Sequence, residues 1–184
     1  MSLVCDSGWI LTKNGILKKV NALLASLQEP QELLVNQTQL PVSTSKISRG
    51  ENYRGLPYLV LDYPRVFNQS DVCAIRTFFW WGHFFSTTLH LSGSYQRRFA
   101  DSIANQYQQA IVNELWIGVG ADPWQYHLER DNYVPVDGVT EEFFVKQVKE
   151  HMFLKLSAVT PLTAWENAPD KLLKDFSCLI GLME

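Results

Sequence analysis

Asp62 and Arg76 each interrupt an apolar run, LVLDY and CAIRTFFWW respectively. A charge in such a run is costly to bury unless it is paired. Strand alternation puts both residues on one face with Phe78, Trp80, Ser86, Thr88 and His90. Arg76 brings a planar fork suited to a carboxylate or phosphate, and Asp62 or His90 could then act as acid or base. The plainer role is an ion pair between neighbouring strands, and the residue types favour it. Upstream, KISRGENYRG gathers Lys46, Arg49 and Arg54 beside Asn52 and Tyr53. A loop of this composition could close over an anion. The expected ligand site is therefore Asp62, Arg76, Phe78, Trp80, Thr88 and His90, rimmed by Tyr53 and Arg54.

Other chemistries lack their residues. No GxxxxGKS loop occurs, and Gly118-Val119-Gly120 runs into Ala121-Asp122-Pro123 where a dinucleotide fold needs a helix. No GxSxG elbow is present. The three cysteines (Cys5, Cys73, Cys178) are too dispersed for a zinc site or a disulfide framework. That usage points to a reducing, cytoplasmic compartment. His90, His127 and Glu129 could share a metal only if their strands were neighbours. Isolated strand histidines are more often structural groups, so neither metal nor cofactor is expected.

These residues need a sheet to position them. Apolar segments near 57–63, 72–80 and 84–91, separated by turn residues, read as three consecutive strands. A hairpin centred on Gly82 pairs Phe79 with Phe85, Thr77 with Thr87, Ile75 with Leu89 and Cys73 with Leu91. A one-residue slip would set Phe79 against Ser86 and Ile75 against His90, so the Gly82 register is preferred. Helical spacing marks 16–27, with a second short helix from Pro30. Residues 37–49 read as a long surface connection. Further helices are expected from Ser94 to about Asn113, from Thr140, and from Pro169. Two strands are expected at 115–119 and 124–129, and a sixth at 152–157. Short links between successive strands argue for antiparallel pairing. The expected fold is thus α+β: a mostly antiparallel sheet of about six strands in one domain over 1–184, with helices packed mainly on one face.

Composition narrows the partners. The net charge of −3 supplies no field for nucleic acid or anionic lipid, and no RRM-like signature accompanies the aromatics. No stretch approaches the apolar length of a membrane helix. Three functions remain. The favoured one is a binding or regulatory module holding a small, partly apolar anion against the aromatic and Arg-lined face. The second is an enzyme using general acid–base chemistry through Asp62 and His90. The third is an interaction protein whose Phe78/Trp80 face forms a homodimer interface.

Overall fold

The structure is a computed structural model and describes residues 5–184. Helix α1 spans Ser7–Val35, capped by Asp6, whose Oδ1 accepts from Gly8 N at 2.9 Å. It runs straight through Pro30, where the sequence suggested a break. The stripe Leu17, Val20, Leu24, Leu27, Gln31 and Val35 keeps its phase across the proline. Its burial outweighs the roughly 3 kcal/mol that an interior proline costs.

The segment expected as a long loop is partly strand. Strand β1, Lys46–Tyr53, forms the edge of the sheet and pairs with β2, Leu56–Phe67. Arg54 (φ 50°) and Gly55 (φ 86°) form a two-residue turn between them, both in the left-handed region. Hairpins favour this geometry because its twist matches that of the strands. Strands β3 (Val72–Trp80) and β4 (Phe84–Ser92) then pair in the Gly82-centred register, with Phe79 opposite Phe85 and Cys73 opposite Leu91.

The expected single helix after β4 is two: α2, Gly93–Ala104, and α3, Tyr107–Val112. Asp71, not Ser94, provides the start, its Oδ1 accepting from Ser94 N at 2.5 Å. Strand β5, Trp116–Gly118, pairs with β6, Tyr133–Pro135. Residues 124–129, expected as a strand, are irregular and belong to the connection between these two. Helix α4, Glu141–Glu150, is capped by Thr140, and β7, Phe153–Pro161, leads through a short 3-10 segment to α5, Ala168–Gly181. The fold is α+β, with a seven-stranded antiparallel sheet in the order β1-β2-β3-β4-β7-β5-β6. Among the described residues, no helix is long and apolar enough to cross a membrane.

The helices cover one face of the sheet. Cys73, Ile75, Leu89 and Leu91 pack there with Phe99, Ile103 and Phe176. Leu59, Leu61, Phe79 and Phe85 form a second cluster with Leu17, Val20 and Leu24 of α1 and Leu172 of α5. The apolar face thus divides between two sets of helices. The opposite face is covered as well, by residues 119–132, and there the chemistry collects.

Candidate functional site

Register alone assembles the floor of the site. Asp62 on β2 stands opposite Arg76 on β3, which faces Thr88 on β4, then Ser157 on β7 and Trp116 on β5. The adjoining row runs Ala74, His90, Lys155, and Gly118 pairs with Tyr133 beside it. A Cβ on Gly118 would stand 3.0 Å from the Lys155 Cβ, so glycine makes room for the lysine. Val60, Phe78 and Trp80 supply the apolar part of the same face and pack with Tyr126 from the cover.

Arg76 is the centre of this floor. Its Nε donates to Asp62 Oδ1 at 2.6 Å and its Nη2 to Oδ2 at 2.9 Å, a bidentate pair. Its Nη1 donates to the Tyr126 hydroxyl. The guanidinium also lies 5.1 Å from the Tyr126 ring centroid and 5.6 Å from those of Phe67 and Trp124. Burial opposes its charge, yet Asp62 and Tyr126 outweigh burial and raise its pKa.

A second basic side chain lies beside it that the sequence did not single out. Lys155 is 1% exposed. Its Nζ rests 4.7 Å from the ring centroids of both Tyr126 and Tyr133, and donates to the Gln125 carbonyl. Burial pushes its pKa down to about 7, with Asp122 opposing the shift and Arg76 adding to it. Burial likewise pushes His90 down to about 3, assisted by Lys155 and Arg76, so its imidazole is neutral at physiological pH. The Tyr133 hydroxyl is buried near Thr88 without completing a hydrogen bond of ordinary geometry. Thr88 Oγ1 pairs instead with Ser157 Oγ at 2.9 Å.

The cover is fastened mainly by Tyr53, at the end of β1. Its hydroxyl accepts from Tyr126 N at 2.6 Å and from His127 N at 3.0 Å. Both lone pairs are then occupied, so the phenol proton is left for His127 Nδ1 at 3.2 Å or Gln125 Oε1 at 3.3 Å. With Nδ1 accepting, the ring proton lies on Nε2 and donates to Asp131 at 3.2 Å. Arg54 adds an exposed ion pair to Glu129 at 2.9 Å. Side-chain atoms of His127, Glu129 and Asp131 lie within 4.8 Å of one another. The Arg54–Glu129 pair and the His127–Asp131 contact are internal bonds that hold these three side chains together.

The expected site residues are therefore brought together, though with different duties. Asp62, Arg76, Phe78, Trp80, Thr88 and His90 share the covered face, and Tyr53 and Arg54 bind its cover from the hairpin. Both Asp62 oxygens are committed to Arg76, and His90 lies between Trp124 and Phe153, with ring centroids 5.6 and 5.9 Å away. Phe78 and Trp80 are buried within the chain by the cover. Between cover and sheet lies a cavity of about 260 Å³, bounded by Tyr53, Tyr58, Phe78, Trp124, Tyr126 and Arg76. A larger cavity of about 600 Å³ lies elsewhere, between the end of α1, α2 and the last residues. Its cation, Arg98, is tied to Gln39 Oε1 at 2.8 Å, and no second charged group converges with it except the terminal Glu184. The smaller cavity carries the chemistry.

Comparison of the chain with protein-family models, with curated proteins and with solved structures finds no match. The functional reading rests on the geometry.

Proposed function

We propose that the protein binds a small, partly apolar anion, of the size of a single-ring carboxylate, in the aromatic chamber floored by Arg76. The observation that carries this reading is the Nη1 edge of Arg76, which borders the chamber without an anionic partner. Asp62 takes the Nε and Nη2 positions of the half-buried guanidinium, and Nη1 has only the neutral Tyr126 phenol. An anionic group at that edge would replace a neutral acceptor with a charged one and gain a charge-assisted hydrogen bond. Five aromatic rings line the remaining walls and suit a flat, apolar body. At about 260 Å³ the chamber falls below the ~300–1,000 Å³ typical of sites for larger ligands, which limits the occupant to about one ring.

This reading is favoured over acid–base catalysis by Asp62 and His90, since the carboxylate has no free oxygen and the imidazole is walled in. It is also favoured over self-association through Phe78 and Trp80, whose rings already have partners in Tyr53 and Tyr126. Unpaired Cys5, Cys73 and Cys178 support a cytoplasmic setting.

The test is a calorimetric titration with benzoate and with its neutral isostere benzyl alcohol. Saturable benzoate binding, at least about tenfold tighter than the alcohol, is expected, because an anion gains charge-assisted hydrogen bonds that the alcohol cannot make. Equal affinities would remove Arg76 from the reading. Trp124→Ala, at a half-exposed wall, should weaken binding and leave the fold intact.

A further inference from the structure

Lys155 has a position that anion binding alone does not explain. It is the most deeply buried cation of the layer, and among the described residues no carboxylate lies within ion-pair distance of its Nζ. Three N–H donors are served by one backbone carbonyl, Gln125. Gly118 opens the room it occupies, and the Tyr133 hydroxyl lies in the same layer without a hydrogen-bond partner. Near neutral pH a lysine kept apart from carboxylates in an apolar surround is present in part as the amine, the form that has a lone pair to give.

We propose that Lys155, behind the Tyr126 wall of this chamber, is a reactive amine that condenses with a carbonyl group carried by the bound anion. The inference rests on the ligand site proposed above and adds a substrate class to it: small aromatic aldehydes or ketones bearing a carboxylate. The Tyr126 ring is the partition. It lies 5.1 Å from the Arg76 guanidinium carbon and 4.7 Å from Lys155 Nζ, and its hydroxyl is held by Arg76. A ligand carboxylate that takes over the Nη1 edge releases the phenol and lets the ring turn aside, which puts the ligand's carbonyl in reach of the amine. The nitrogen lone pair then forms a C–N bond to the carbonyl carbon while the C=O π pair moves onto oxygen. A proton passes from nitrogen to that oxygen, and loss of water leaves a C=N imine, with no net oxidation or reduction. Tyr133, whose pKa is raised by burial, remains a phenol able to hand a proton to the departing hydroxyl and recover it from nitrogen.

The experiment is reductive trapping at neutral pH, with 4-formylbenzoate as the carbonyl probe, cyanoborohydride as the reductant of the imine, and peptide mapping of the adducts. Benzoate binding is measured in parallel. The expected result is an adduct concentrated on Lys155, falling about tenfold when benzoate is present at about ten times its dissociation constant, as mass action requires. Lys155→Met should lose that adduct and still bind benzoate. If benzoate binds but the label falls only on exposed lysines such as Lys18 and Lys19, the reactive amine is overturned and the anion site stands. If Lys155 is labelled but benzoate neither binds nor protects it, the anion site is overturned, and with it the proposed link between ligand and amine. Absence of both binding and labelling overturns both.

Discussion

Deleting one oxygen atom, in Tyr53→Phe, should loosen the cover and little else. The ring keeps its edge contacts with Trp80 and Phe78, at centroid distances of 5.1 and 5.6 Å. What disappears is the acceptor for the Tyr126 and His127 amides. An orphaned buried donor costs about 1–3 kcal/mol, and water at the rim can reach part of the gap, so the two together cost about 2–4 kcal/mol of closing free energy. At about 1.4 kcal/mol per factor of ten, that is a roughly 30- to 700-fold increase in opening. Amide hydrogen exchange reads this directly, because it reports local opening residue by residue. The Tyr126 and His127 amides should accelerate by that factor, while Leu89 and Leu156, in the sheet interior, stay at their original rates. Unchanged exchange at Tyr126 and His127 would refute the idea that the Tyr53 hydroxyl fastens the cover.

Four more outcomes follow from the same packing. Asp62→Asn should cost about 3–5 kcal/mol in urea unfolding because it strands Arg76, whereas the double change Asp62→Leu, Arg76→Met should cost much less; equal and additive losses would deny the coupling. Stability should fall on acidification between pH 6.5 and about 3, because His90 binds its proton more weakly folded (about 3) than unfolded (6.5), so the folded form loses ground as pH drops below 6.5, by up to about 1.4 kcal/mol per pH unit. Lys155 adds the same sign at higher pH: its pKa falls from 10.5 to about 7, so stability declines from pH 10.5 down to 7 and is flat below, and Lys155→Met should abolish that slope. Phe79→Ala, which empties a buried aromatic site between α1 and the sheet, should cost about 3–5 kcal/mol by urea unfolding, and a loss near zero would contradict the packing.

The β3–β4 hairpin was legible because both its faces carry a signal: one face is uniformly apolar, and a slip of one residue mixes it with Ser86 and His90. The Asp62–Arg76 pair followed from that register once β2 was placed. Strand β1 was hidden because it lies at an edge, where Lys46, Arg49 and Glu51 meet water and no apolar alternation survives. Its one available signal was Arg54-Gly55 ahead of an apolar strand, a two-residue hairpin turn. Helix α1 was cut short at Pro30 because local propensity says nothing of the sheet beneath it. Lys155 and Tyr126 escaped notice for a related reason. A lysine on a strand defaults to solvent, and only the cover, an irregular segment whose course is set by contacts with Tyr53, Arg76 and Lys155, makes that face an interior. Residues 124–129 alternate like a strand, yet their partners are side chains from elsewhere in the chain, and no periodicity records those.

The central claim is that an anion enters between the cover and Arg76. Its most direct test is nitrogen-15 chemical-shift mapping of the labelled protein during a benzoate titration, including the arginine side-chain and tryptophan indole signals. Saturating shifts should appear at Arg76 Nε, the Trp124 indole and the Tyr126 and His127 amides, all with one dissociation constant. Shifts confined to Gln39, Arg98 and Ser102 around the larger cavity, or none that saturate, would contradict the account.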